Sequence, residues 1–181
     1  MSIKSRKSRA IQARIGLMVG LVAMSALPAL ALQEGNLSLD TLTRRAAVIV
    51  EGNVTAVQSA WNAAQTQIHT TVTLKVSQYH KGDLKQDTLS VKFLGGAVGN
   101  MTMAVLGQPS FAVNEQVVLF LMPNFEIRDV PFVGADEGKF TVQIDPATKV
   151  EYVQNAHQRA TKSSVLETIE QVMRPLTALS K

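Results

Sequence analysis

The sequence predicts a mainly β domain, curled into a barrel, with a short helix before it and an amphipathic helix after it. Three observations carry this. From Gln67 the residues alternate, with Ile68, Thr70, Val72, Leu74 and Val76 on one face and His69, Thr71, Thr73, Lys75 and Ser77 on the other, as in a half-buried strand. Further short apolar segments recur downstream, separated by Gly, Pro, Asn and Asp, the punctuation of a barrel or sandwich. The last twenty residues change to helical spacing.

The elements follow in order. Residues 1–31 read as an export signal: Lys4, Arg6, Lys7, Arg9 and Arg14 form a basic region, Ile15 to Leu30 an apolar stretch, and Ala29-Leu30-Ala31 a small-x-small cleavage site. The competing reading is an uncleaved anchor, because a bilayer span needs ~20 residues. Pro28 and the Ala-x-Ala site favour cleavage, so the mature chain is expected to start at Leu32, in a periplasm or outside the cell, with no membrane contact after cleavage. Residues 32–181 are expected to form one domain.

Removing the signal changes the charge argument. The chain carries 18 basic and 14 acidic residues; five of the basic ones and none of the acidic ones lie in the signal, which leaves 13 against 14 and a formal charge of −1. No basic surface remains to argue for nucleic acid as a partner. The absence of cysteine excludes disulfides, thiolate metal sites and a cysteine nucleophile. The fold must rest on its core, and ~150 residues suffice for that.

Leu37 to Leu42 reads as the start of a short helix, with Ser38 as cap and Asp40 in the first turn, ending near Ala46. Ala47 to Val57 is a β-branched strand in which Gly52 marks a bulge or bend. A polar connection from Ser59 to Thr66, holding the single tryptophan, leads to the alternating strand, which ends at His80-Lys81-Gly82-Asp83. Thr88 to Leu94 alternates again and closes on Gly95-Gly96. Met101–Leu106, Gln116–Met122, Glu126–Val133, Lys139–Ile144 and Val150–Val153 are further strand candidates. Ser164 and Glu167 match a capping box, followed by an apolar stripe of Val165, Leu166, Ile169, Val172, Met173 and Leu176. That helix covers the barrel or plugs one end; its acidic polar face argues against a membrane-surface role. Pro175 is expected to kink or end it.

Ala46 to Val54, His69 to Val76 with His80-Lys81-Gly82, Leu89 to Phe93, and Gln116 to Leu121 together resemble the strand order of netrin-like domains. These include the inhibitory domain of metalloproteinase inhibitors, and the resemblance implies an OB-type barrel. With Gly138-Lys139-Phe140, the chain is also similar to a set of secreted bacterial proteins that share these elements. The resemblance spans about Leu39 to Ile144. It rests on strand residues and turn glycines, so it implies a fold and not an activity. Metalloproteinase inhibitors of that family chelate zinc through an N-terminal cysteine, for which this chain has no counterpart.

No catalytic residue is identified. His69, His80 and His157 have no metal-ligand spacing, and no Gly-x-Ser-x-Gly elbow is present; no metal site and no cofactor are expected. Gly95-Gly96-Ala97-Val98-Gly99 lacks the Gly-Lys-Ser/Thr of a phosphate loop and reads as turn glycines. Asp129, Asp136 and Glu137 lack calcium-loop spacing. OB-type barrels bind ligands on strand faces and connecting loops. The candidate binding residues are therefore Trp61, Gly95, Gly96, Met101, Met103 and Phe111. Trp61 either packs as a lid or presents an anchor, and the methionines and Phe111 either add an adaptable surface or join the core. The expectation is a non-enzymatic interaction module whose partner is another exported protein, such as a protease. The alternative is a small secreted hydrolase with a histidine beside a carboxylate or hydroxyl.

Overall fold

A computed structural model of the chain describes residues 36–178, and the expected export signal lies outside them. Helix α1, Leu39–Arg45, starts as its sequence requires: Ser38 is extended and its hydroxyl accepts the Thr41 N–H at 3.2 Å. At the other end the Lys81 ammonium donates to the Thr43 carbonyl at 2.8 Å. A cation there meets the free carbonyls of the last turn. Burial pushes the Lys81 pKa down.

Two long strands follow, β1 (Val48–Trp61) and β2 (Ile68–Lys81), paired antiparallel from Ile49–Lys81 to Trp61–Ile68. Three register shifts interrupt the ladder, at Ile49/Val50, Glu51/Gly52 and Val54/Ala56. The expected bulge at Gly52 is one of them. A Cβ there would sit 2.6 Å from the Lys75 carbonyl oxygen, so only glycine allows the strands to approach. Strand β3 is Thr88–Leu94, and β4 (Gly96–Val98) and β5 (Met101–Met103) form a separate small hairpin. Strands β6 (Gln116–Leu121), β7 (Lys139–Ile144), β8 (Glu151–Gln154) and β9 (Arg159–Thr161) precede helix α2, Lys162–Ala178. The main sheet has seven antiparallel strands in the order β3-β2-β1-β6-β7-β8-β9.

The closed barrel of the sequence reading is therefore corrected to an open sheet. A barrel needs its first and last strands to pair, but β3 and β9 are both edges. Strand β9 has three residues and passes directly into α2, and the Leu94 N–H at the end of β3 reaches only the Asp129 carbonyl, at 2.9 Å. A barrel also has one interior, whereas this sheet has a core on each face. One gathers Val50, Val72, Leu74, Val91, Leu119 and Phe132 where the bulged sheet curls. The other gathers Ile49, Val118, Phe120, Phe140 and Val153 beneath Leu42 of α1 and Val165 and Ile169 of α2. Residues 117–121 are buried without a break, as a strand covered on both faces must be.

Other boundaries move for local reasons. Strand β1 runs on to Trp61, so the expected long connection shrinks to a turn in which the Asn62 carboxamide accepts the Thr66 and Gln67 N–H groups. Glu126–Val133 is not a strand: Phe125–Ile127 is a 3-10 turn, and only Phe132 bridges to Leu121. Gly96–Val98, read as part of a glycine turn, is a strand, and Arg159–Thr161 is a further strand without a counterpart in the sequence reading. Helix α2 begins earlier than the Ser164 capping box, because the Thr161 hydroxyl takes the Ser164 N–H at 3.3 Å. It also continues past Pro175.

The docking of α2 is testable through Ile169, which is 2 % exposed. Ile169→Ala is expected to lower stability by about 2–4 kcal/mol, read as a lower urea midpoint with an unchanged m-value.

Candidate functional site

Two polar constellations organise the interior. The first centres on Glu51, which is 4 % exposed, in the Val-Ile-Val-Glu run of β1. Its Oε1 accepts from Gln116 Nε2 of β6 at 2.8 Å and from Lys162 Nζ of α2 at 2.7 Å, and its Oε2 faces His80 Nε2 of β2 at 3.2 Å. Lys162 also pairs with Glu151 of β8 at 3.0 Å. The hydrogen bond from His80, followed by those from Lys162 and Gln116, outweighs burial and holds the Glu51 pKa at about 2. Burial acts against the Lys162 charge, but its two carboxylate partners prevail and raise its pKa.

The second constellation fixes the chain leading into β6. Burial pushes the Glu115 carboxyl up, but Lys139, Thr141 and the Ala112 N–H overcome it and hold the pKa below the usual range. The Lys139 ammonium also donates to the Ser110 carbonyl at 2.8 Å and lies 5.0 Å from the Phe111 ring centre. Phe111 in turn meets Phe93 and Phe132, each with ring centres 5.7 Å away. These contacts hold residues 108–115 against the sheet.

Between this segment and the long hairpin lies a trough of about 400 Å³. It is lined by Val57, Ser59, Thr70, Phe93 to Gly96, Met103 to Val105 and Gln108 to Phe111. Its floor is specific. Ser59 and Thr70 share a hydroxyl hydrogen bond of 2.8 Å, Thr70 donates to the Gly95 carbonyl at 2.7 Å, and the Gly95 N–H donates to the Ile68 carbonyl at 2.7 Å. Gly96, with φ +132°, rests directly on the pair: a Cβ would fall 2.3 Å from Thr70 Oγ1 and 2.5 Å from Ser59 Oγ. On the far side of Gln108 to Ser110 is a polar hollow of about 360 Å³ with Asp136, Lys139, Thr141, Gln143, Gln154 and Asn155.

Of the six expected binding residues, the trough brings together Gly95, Gly96, Met103 and Phe111. Met101 is 58 % exposed on the β4–β5 hairpin, opposite Val98, and is not part of the lining. Trp61 is half-buried at the end of β1 opposite Ile68, also outside the lining. Sequence reasoning missed Ser59, Thr70 and Pro109. The small hydroxyl residues facing each other across a hairpin were the available signal, but their register is set by the short turn at residues 62–67, where the sequence predicts a longer connection that includes Ser59.

Each histidine faces a carboxylate. His80, read as a turn residue, lies inside β2 against Glu51. His69 Nε2 is 3.3 Å from Asp129, and His157 Nε2 is 3.7 Å from Asp136. Among the described residues no hydroxyl hydrogen-bonds to any of the three, and no group of three His, Asp or Glu side chains is placed to hold a metal ion. The three acidic residues without calcium-loop spacing are engaged separately: Glu137 accepts the Leu37 N–H at 2.6 Å, while Asp129 and Asp136 face different histidines. Compared with protein-family models, curated proteins and solved structures, the chain finds no match in any of the three.

Two outcomes follow from this geometry. Glu51 is more acidic in the folded state than an unperturbed glutamate, with its ordinary pKa of 4.5, so its contribution to stability is present above pH 4.5 and is lost as pH falls through about 2. At neutral pH it amounts to about 3 kcal/mol. Glu51→Gln should lower stability at pH 7 and flatten the acid limb of a stability–pH curve; an unchanged limb contradicts the assignment. Gly96→Ala, forced against two side-chain oxygens at positive φ, should lower the unfolding free energy by about 1–3 kcal/mol, measured by chemical denaturation.

Proposed function

We propose that this chain is an exported, non-enzymatic interaction module that receives an apolar side chain of another exported protein in the trough beside Gly95 and Gly96. The observation that carries the reading is the convergence of Gly95, Gly96, Met103 and Phe111 on one apolar hollow, edged by loops that expose large apolar side chains. Leu106, between the lining residues Val105 and Gln108, is fully exposed, and Ile127 on the adjoining loop is 86 % exposed. The two loops are tied by Gln108 Nε2 donating to the Asp129 carbonyl at 2.9 Å. Apolar residues grouped around a concavity suit a protein contact. The buried Glu51 and the half-buried Glu115 are meanwhile engaged in holding strands and helix together. Kinship with netrin-like domains belongs to this proposal and rests on the strand motifs; in this chain it takes the form of an open sheet. Restraint of a secreted protease is its narrower version, acting by surface contact.

The reading is tested by capturing partners from the host's exported fractions on immobilised residues 32–181. A partner bound by the wild type should be lost by both Leu106→Asp and Met103→Glu, with unfolding curves showing that each variant remains folded; retention by both overturns the placement. Trp61→Ala in parallel reads whether the contact extends to the end of β1. A flat inhibition assay across metallo-, serine and cysteine proteases removes the protease version alone.

A further inference from the structure

The main sheet leaves a long edge whose backbone is free over a symmetric window. Strand β3 pairs with β2 from Leu94–His69 to Thr88–Lys75 without a register shift, so its backbone groups alternate strictly between β2 and the outside. The bonds beyond its ends fix the phase: the Gly95 N–H goes to Ile68 and the Asp87 carbonyl to Val76, so residues 89, 91 and 93 face β2. Residues 88, 90, 92 and 94 point outward. The Leu94 N–H is taken by the Asp129 carbonyl. Thr88, Ser90 and Lys92 have exposed side chains, and among the described residues their outward backbone groups have no protein partner. Of the usual protections of an edge, β3 lacks a bulge, a proline and an inward charge, and carries one lysine, Lys92.

We infer that β3 is a self-association edge that pairs antiparallel with β3 of a second copy across a two-fold axis at Ser90. The free window, 88 to 92, is centred on that residue. With Ser90 opposite its own equivalent, Thr88 lies opposite Lys92 of the other copy, and every outward N–H and C=O of the window finds a partner. The register that would place Lys92 against Lys92 is repulsive, and the one that places Thr88 against Leu94 meets the segment already bonded there. Full pairing of the window and avoidance of the Lys92–Lys92 contact thus select the same register, so the edge is complementary to itself and a second copy is its occupant. The contact is a single pair of short strands, so the dimer depends on concentration.

Sedimentation velocity of the full chain over a concentration series tests this. The expected result is a monomer–dimer equilibrium. Ser90→Pro removes the central outward donors without touching the bonds to β2 and should abolish the dimer. Thr88→Lys, which sets a lysine against Lys92 at each end of the pairing, should weaken it roughly fivefold, and Thr88→Glu should tighten it by a similar factor. Thermal unfolding controls for changes within the monomer, where Thr88 neighbours Lys75. A chain that stays monomeric throughout overturns the inference, as does association indifferent to all three substitutions. Should Ser90→Pro fail to fold, the opposite signs of the two Thr88 variants decide.

Discussion

A buried carboxylate in the middle of the sheet is the constraint on which the rest of the structure depends. Glu51 sits in a strand otherwise made for a core, and an ionised carboxyl in that position is tolerated only if donors surround it. The donors come from β2, β6 and the first turn of α2, and Lys162 extends the network to β8. Because Lys162 opens α2, the helix cannot be laid on the sheet in another place without taking the ammonium from the carboxylate, which would keep only His80 and Gln116. The network thereby fixes where the apolar stripe of α2 meets Val142, Val153 and Phe140. Losing one partner is more costly than the pair's net worth, which makes the arrangement specific even where it adds modest stability.

This division of labour explains the surface. The carboxylates and amines of the two constellations hold elements together, while the loops between β5 and β7 carry apolar side chains into solvent around a preformed hollow. Gly96 makes that hollow possible, because any side chain there would collide with the Ser59–Thr70 pair that forms its floor.

Much of the fold was legible in local pattern. Alternation located β3 to the residue, helical spacing located α2, and Gly52 announced the bend in β1. Closure was not legible, because whether β3 meets another strand depends on distant backbone and on a loop whose apolar residues Phe125 and Phe132 resemble a strand but fill a core. The pattern of Gln116 to Leu121 contained a clue: a strand buried on both faces needs cover on its outer side, and a covered open sheet supplies that as readily as a barrel. The site was partly legible for the same reason. The glycine pair, Met103 and Phe111 lie in or near turns and could be found locally. Glu51, His80 and Lys162 meet only through the register of a thrice-bulged hairpin, and no spacing in the sequence encodes that meeting.

The most direct test of this account is a carbon-13 NMR titration of the Glu51 carboxyl in the folded protein. The expected result is an apparent pKa near 2, with the resonance still that of a carboxylate when exposed glutamates have become protonated. A midpoint in the ordinary range for a solvated glutamate would contradict it, because the group would then be free of the donors that anchor α2 to the sheet.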